Sequence, residues 1–132
     1  ERLARKIRNA AAAVPEPEIR RTGGASLGIV TVGSGRAAVL EAVDRLRDEG
    51  ISLDYMRVRG FPFGDGVREF LAQHELNFVV EQNRDGQLRS LLLLETGVPP
   101  ERLASVRYYG GFPLSAHHVT EGVLRQLGGV KA

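Results

Sequence analysis

The chain has 132 residues, of which 42% are apolar and 26% are charged, an ordinary composition for one globular domain. Its formal net charge is only +2, so charge gives little support for a nucleic-acid partner. The absence of cysteine excludes disulfides, iron–sulfur ligation and a cysteine nucleophile within the chain. The longest apolar run, Leu91 to Leu94, is far too short to span a membrane, so no membrane partner is expected. The chain begins with Glu1, which favours a fragment, a processed product or an excised domain.

Residues 1–17 are predicted to form a connecting helix and a linker. Apolar side chains recur at helical spacing in residues 1–14, and basic side chains occupy the rest of the circumference. A surface helix with a solvated basic face is expected. A nucleic-acid or phosphate patch is disfavoured, because no aromatic side chains are interleaved. Pro15 and Pro17 should end the helix, since proline removes a backbone donor.

Residues 18–132 are predicted to form one domain in which strands and helices alternate. The central strand is Leu27 to Val32, because its β-branched apolar run is typical of a strand buried on both faces. Its expected neighbours are the strands from Ile51 and Leu76. The other predicted elements begin with an edge strand at Glu18 to Thr22, a helix at Arg36 to Asp48 and a short helix capped by Asp65. A helix at Leu88 to Leu94, a strand at Ala104 to Tyr108 and a helix capped by Ser115 follow. This alternation indicates a mostly parallel sheet with helices on both faces.

Two polar loops are predicted to flank the point where the winding of the sheet reverses, which is where such sheets bind ligands. They are Gly33 to Arg36 and Glu81 to Gln87. No catalytic residue and no metal ligand is assigned. The residues assigned to cofactor binding, or to a subunit interface at this edge, are Ser34, Gly35, Arg36, Asn83, Arg84 and Gln87.

Within these loops, Ser34 is expected to accept a hydrogen bond from the first N–H groups of the next helix. Asp85 should cap the helix at Leu88, and Asn83 should hold the irregular backbone before it. Arg84 and Gln87 should then face outward. Gly33-Ser34-Gly35 matches only the first half of the dinucleotide fingerprint, so a closely packed turn is favoured over an anion site.

Other polar residues are weaker candidates for chemistry. His117 and His118 are adjacent, so on a helix they point about 100° apart and suit a cap or an interface better than a shared metal. His74 stands alone at a helix end. Ser34 has no recognisable His and acid partners for a hydrolase triad. Glu81 could act as an acid or base, but pairing with a neighbouring arginine is favoured.

Three stretches together resemble the alpha subunit of 2-oxoacid:ferredoxin oxidoreductases, in their 2-oxoglutarate branch. They are residues 28–34, 56–63 and 79–88, and the last is the most specific. The part resembled is similar to the C-terminal domain of transketolase. This resemblance implies a three-layer α/β/α domain with a five-stranded, mostly parallel sheet. The first strand, at Glu18 to Thr22, would be antiparallel.

The resemblance also implies a function. The intact enzyme is expected to use thiamine diphosphate, Mg²⁺, an iron–sulfur cluster and coenzyme A, with ferredoxin as electron acceptor, in the cytoplasm. This chain would bind no cofactor alone and would be inactive in isolation. Its partners would be the beta subunit and the rest of the alpha subunit, and it would contribute to assembly and to one wall of the active-site cleft. A free-standing nucleotide- or anion-binding module and a purely structural assembly domain are the alternatives.

Overall fold

A computed structural model describes residues 15–131, with side chains up to Gly128. The helix predicted at residues 1–14 lies outside this part of the chain. The strands are β1 (Glu18–Arg20), β2 (Leu27–Val32), β3 (Leu53–Val58), β4 (Leu76–Glu81) and β5 (Leu103–Arg107). The helices are α1 (Arg36–Asp48), α2 (Asp65–Ala72), α3 (Gln87–Thr96) and α4 (Ala116–Lys131), with short 3-10 turns at Gly33–Gly35 and Pro100–Arg102.

Within residues 15–131 the strands form one five-stranded sheet in the order β1-β3-β2-β4-β5. β1 pairs with β3 in antiparallel fashion, and the other neighbours are parallel. The central position of β2 and the antiparallel first strand are therefore confirmed. A chain that alternates strand and helix produces this arrangement, because each crossover places a helix on a face of the sheet.

Two apolar clusters, one on each face of the sheet, make the three layers. On β2, Ile29 belongs to the cluster beneath α1 and α4, whereas Val30 belongs to the cluster beneath α2 and α3. Neighbouring residues of a strand point to opposite faces, so one continuous apolar run supplies both clusters. The predicted three-layer α/β/α fold is confirmed.

Some element boundaries differ from those predicted. β3 begins at Leu53 rather than Ile51, because the amide of Ile51 still bonds to the carbonyl of Leu46 at the end of α1. α3 continues to Thr96, past the predicted end at Leu94, and stops where Gly97 adopts a φ of 70°. Asp65 is the first residue of α2 rather than its cap, and no side chain caps that helix.

A buried polar cluster ties three strands together at their amino ends. His74 precedes β4, and its ring nitrogens lie 2.8 Å from Asp54 Oδ2 on β3 and 2.9 Å from Asn77 Oδ1 on β4. Gly28 lies between them in register, paired with both Asp54 and Asn77. Because glycine has no side chain, the imidazole can lie across β2 there. The sequence analysis missed this cluster and left His74 isolated.

The charge of Asp54 is stabilised inside this cluster. Burial by itself raises the pKa of Asp54, but hydrogen bonds from His74 and from the amide and hydroxyl of Thr22 outweigh burial and leave the pKa below its ordinary value. The cluster therefore favours the ionised form of Asp54. Thr22, in the segment after β1, joins His74 and Asn77 as a member of the cluster. Its role is to hold strands in place, far from the loops considered next.

Candidate functional site

The loops that follow β2, β3, β4 and β5 lie along one edge of the sheet, because these strands are parallel. We call this the loop edge, comprising residues 32–36, 59–64, 82–87 and 107–113. Gln82 Nε2 donates a hydrogen bond to Ser34 Oγ at 3.1 Å. The two polar loops predicted to flank the reversal of winding therefore do lie side by side.

The first loop, Gly33 to Arg36, is a tight turn rather than a capped helix start. Gly33 has a φ of 70°, which favours glycine, and the residues Gly33–Gly35 form a 3-10 turn. Gly35 is buried, and a Cβ there would lie 2.9 Å from Thr31 Oγ1. The prediction that Ser34 caps the next helix is wrong, since no side chain caps α1. The intervening 3-10 turn carries the hydroxyl away from the first free amides.

Arg36 is held by an ion pair within the domain. Its Nε lies 2.9 Å and its Nη2 2.8 Å from the carboxylate oxygens of Glu18, a two-point contact between planar groups. The Tyr55 hydroxyl donates to the same carboxylate at 3.0 Å. The hydrogen bonds from Arg36, with help from Tyr55, lower the pKa of Glu18 to about 2. Burial and the bond to Glu18 raise the pKa of Tyr55 to about 12.

This ion pair predicts a loss of stability in acid. Folding lowers the pKa of Glu18 from its ordinary 4.5 to about 2. The ionised carboxylate therefore stabilises the folded state fully above pH 4.5, and this stabilisation is lost as the pH falls towards about 2. Glu18→Gln should therefore flatten the decline in the free energy of unfolding across that interval. Urea unfolding at a series of pH values measures it, with Glu49→Gln, an exposed carboxylate at the end of α1, as control. Equal slopes for Glu18→Gln and the parent would contradict the prediction.

Glu81, the last residue of β4, caps α3 from inside the domain. Its side chain is buried, with 2% of the residue exposed. Its carboxylate accepts hydrogen bonds from the amides of Leu88 at 2.6 Å and Arg89 at 3.1 Å. These are among the first amides of the helix, which have no partner within it. The favoured pairing of Glu81 with an arginine is wrong, because the helix amides occupy its oxygens.

The predicted cap by Asp85 is also wrong. The residue before α3 is Gly86, in the left-handed conformation with a φ of 63°, and this turn leaves Asp85 on the exposed side. Asn83 does hold the loop, as predicted. Its Oδ1 accepts from the amides of Asp85 at 3.1 Å and Gly86 at 3.0 Å, and its Nδ2 donates to Glu81 at 3.0 Å.

The two remaining candidate residues of this loop, Arg84 and Gln87, are exposed, as predicted. The guanidinium carbon of Arg84 lies 5.6 Å from the centre of the Tyr109 ring, a distance typical of a cation–π contact. Arg107 Nη1 donates to the main-chain carbonyl of Arg84 at 2.7 Å. The loop after β5 therefore supports the loop after β4.

The sequence analysis did not assign the loops after β3 and β5 to this edge. They expose aromatic side chains: Phe61 by 51%, Tyr109 by 65% and Phe112 by 79%. Val32, at the end of β2, is 43% exposed. Aromatic residues next to Gly and Pro directly after a predicted strand were the available signal. These exposed apolar side chains therefore lie at or just after the carboxyl ends of β2, β3 and β5, on the same edge of the sheet.

The histidine pair lies beside this edge. His118 Nε2 is 3.1 Å from the carbonyl of Arg107, and its ring packs edge-on against Tyr108. Ser115 Oγ accepts from the amide of His118 at 3.1 Å, so the predicted cap of α4 is confirmed. Among residues 15–131 no three acids or histidines lie together as a metal site would require. No helix in that range is long and apolar enough to cross a membrane.

No family model matches the sequence. The alpha subunit of 2-oxoacid:ferredoxin oxidoreductase 2 from Aeropyrum pernix is 39% identical over 105 residues, covering 78% of this chain and 16% of the relative. The 2-oxoacid:ferredoxin oxidoreductase alpha subunit from Saccharolobus solfataricus is 30% identical over 128 residues, which cover 93% of this chain and 20% of that relative. This chain is related to the alpha subunits of 2-oxoacid:ferredoxin oxidoreductases. It spans only 16% and 20% of the length of these two oxidoreductase subunits.

One solved structure agrees with this relationship, and two others share the fold. The 2-oxoglutarate:ferredoxin oxidoreductase from Magnetococcus marinus, solved with 2-oxoglutarate, coenzyme A and succinyl-CoA bound, is 26% identical with a TM-score of 0.76, covering 90% of this chain and 21% of that one. The alpha chain of a probable 2-oxoacid ferredoxin oxidoreductase from Thermoplasma acidophilum shares the fold at 23% identity and a TM-score of 0.58, covering 86% and 97%. Transketolase from Campylobacter jejuni shares the fold at 12% identity and a TM-score of 0.60, and the match covers 86% of this chain and 19% of the transketolase chain.

Proposed function

We propose that this chain is the C-terminal, non-catalytic domain of the alpha subunit of a CoA-acylating 2-oxoacid:ferredoxin oxidoreductase in the 2-oxoglutarate branch. Its loop edge contacts the rest of the enzyme and forms one wall of the active-site cleft. The observation that carries the proposal is the 39% identity to an alpha subunit over most of this chain but only 16% of that relative. A segment that matches one part of a larger subunit works together with the remaining parts.

The loop edge supports a contact role. Its exposed side chains combine aromatic rings with an arginine, and aromatic residues and arginine are enriched in protein interfaces. The loop from Glu81 to Gln87 is fixed by internal hydrogen bonds that do not involve the side chains of Arg84 and Gln87. These two side chains are therefore held in position without being needed for the fold of the loop.

The proposed enzyme works in the cytoplasm. Its cofactors are bound by parts of the enzyme other than this chain. A thiamine diphosphate enzyme of this type would also use Mg²⁺, an iron–sulfur cluster, coenzyme A and ferredoxin. This chain has no cysteine for a cluster. The glycine-flanked turn Gly33–Gly35, just before α1, is followed by Arg36, whose guanidinium group is paired with Glu18. That donor set does not suit a diphosphate, and the beta subunit and the rest of the alpha subunit would hold these groups.

The test substitutes Arg84 and Gln87 with alanine, separately, in the assembled alpha–beta enzyme. We expect stability to hold while turnover or subunit affinity falls about tenfold, equivalent to about 1.4 kcal/mol. Arg125→Ala, an exposed arginine of α4 outside the loop edge, is the matched control. The measurements are turnover with 2-oxoglutarate, coenzyme A and a viologen acceptor, and the dissociation constant of the complex.

Assembly and turnover at the parent level in both variants would contradict the contact role. The alternative of a free-standing nucleotide- or anion-binding module has its own signature. Coenzyme A, an adenine nucleotide or thiamine diphosphate would then raise the melting temperature of the isolated chain, whereas a domain that works only within the enzyme shows no shift.

A further inference from the structure

The loop edge carries positive charge that no carboxylate neutralises within the described residues. Arg84 lies over the ring of Tyr109, and Arg107 donates to a main-chain carbonyl. Both partners are neutral. Neither guanidinium group lies within 4.0 Å of an acidic oxygen in the part of the chain that the structure describes. By contrast, Arg36, which follows the central strand β2 on the same edge, is paired with the carboxylate of Glu18.

The two arginines are ordered as well as uncompensated. Arg107 bonds to the carbonyl of Arg84 at 2.7 Å, and Arg84 lies 5.6 Å from the centre of the Tyr109 ring. These contacts connect the loop after β4 to the loop after β5. Phe112, which lies in the loop after β5, is 79% exposed. We call Arg84, Arg107, Tyr109 and Phe112 the arginine–aromatic patch.

The shape of this surface favours a protein over a small molecule. Small ligands bind in concave pockets that cover most of their surface, whereas the members of the patch are exposed side chains. A groove beside Gln87 and Leu94 on α3 is lined by no arginine and by no member of the patch. A half-open hollow next to Arg59, at the far side of the loop edge, holds only about 10 Å³, room for about one water molecule.

We infer that the arginine–aromatic patch docks onto a carboxylate-bearing surface of the remaining part of the oxidoreductase. This inference rests on the proposed function, because the curated relatives extend well beyond the 16% and 20% of their length that this chain matches. Carboxylates facing Arg84 and Arg107 supply the missing negative charge, and their two-oxygen geometry suits the planar guanidinium group. The rings of Tyr109 and Phe112 lose their exposure in the same contact.

The experiment measures the dissociation constant between this chain and the remaining polypeptides of the enzyme across a series of salt concentrations. Arg84→Glu and Arg107→Glu should each weaken the complex tenfold or more at low salt, and the weakening should shrink as salt rises. Arg125→Glu, the matched control, should change the constant less than threefold. Asp85→Lys removes an exposed negative charge next to the patch and should tighten the complex severalfold.

Three outcomes would overturn the inference. If a complex forms but the two reversals weaken it no more than Arg125→Glu does, the patch does not face carboxylates, while the proposed function survives. If no complex forms at any salt concentration, the proposed function fails and the inference fails with it. If coenzyme A binds saturably to the isolated chain and Arg84→Glu abolishes that binding, the patch serves an anionic small molecule.

Discussion

Gly28→Ala is expected to destabilise the domain by about 3 kcal/mol. A Cβ at this position would lie 2.3 Å from Asn77 Oδ1 and 2.7 Å from His74 Nδ1. Neither group can move cheaply, because the Asn77 amide donates to the carbonyl of Leu71 and the imidazole lies between Asp54 and Asn77. Urea unfolding followed by circular dichroism measures the change in the free energy of unfolding.

The matched control is Gly111→Ala, an exposed glycine with nothing within 4 Å of the added Cβ. It should change the free energy of unfolding by less than about 0.5 kcal/mol. A double-mutant cycle sharpens the test, since Asn77→Ala removes the nearest clashing atom and should reduce the additional cost of Gly28→Ala. A loss below about 1 kcal/mol for Gly28→Ala alone would show that the polar cluster yields easily.

Glu81→Ala is expected to cost about 3 kcal/mol, by removing a buried carboxylate that accepts three hydrogen bonds. The Leu88 amide is buried, so it would be left without a partner. Glu81→Gln should cost less than alanine, because its amide keeps one acceptor oxygen but directs an NH₂ group at another donor. Chemical denaturation measures the change in the free energy of unfolding for each variant. Faster hydrogen exchange of the Leu88 and Arg89 amides would show that the lost stability lies at the start of α3.

Asp85→Ala is the informative control for this prediction. The sequence favoured Asp85 as the cap of α3, whereas the structure gives that place to Glu81. Because the Asp85 side chain is exposed, its truncation should cost less than about 0.5 kcal/mol. A larger cost for Asp85→Ala than for Glu81→Ala would reverse the assignment of the cap.

Features that depend on local pattern were predictable from the sequence. α1 has the predicted bounds, Arg36 to Asp48, because its apolar spacing and the glycine beyond its end are local signals. The central position of β2 followed from its uninterrupted apolar run, since a strand buried on both faces reads that way. The family resemblance added the antiparallel direction of β1, which the three residues of that strand cannot specify by themselves.

Features that depend on distant partners were not predictable. His74 looked isolated because Asp54 is twenty residues away in the chain, and only the register of β3 beside β2 brings the two together. The cap of α3 was assigned by proximity in sequence, which nominates Asp85, yet the left-handed Gly86 turns the chain so that Glu81 reaches the helix amides. Capping rules presuppose a side chain immediately before the helix, and here the acceptor lies seven residues before Leu88.

The hydrogen bonds around Glu81 and Asn83 have a consequence for how the neighbouring side chains could meet a partner. Every one of these bonds uses those two residues and main-chain amides, so the loop has its shape before anything binds to it. A segment that is already ordered loses little conformational entropy on association, so more of the free energy of each new contact contributes to affinity. Substitution of residues 84 and 87 should therefore change which surfaces the domain contacts, while the loop that presents these side chains keeps its shape.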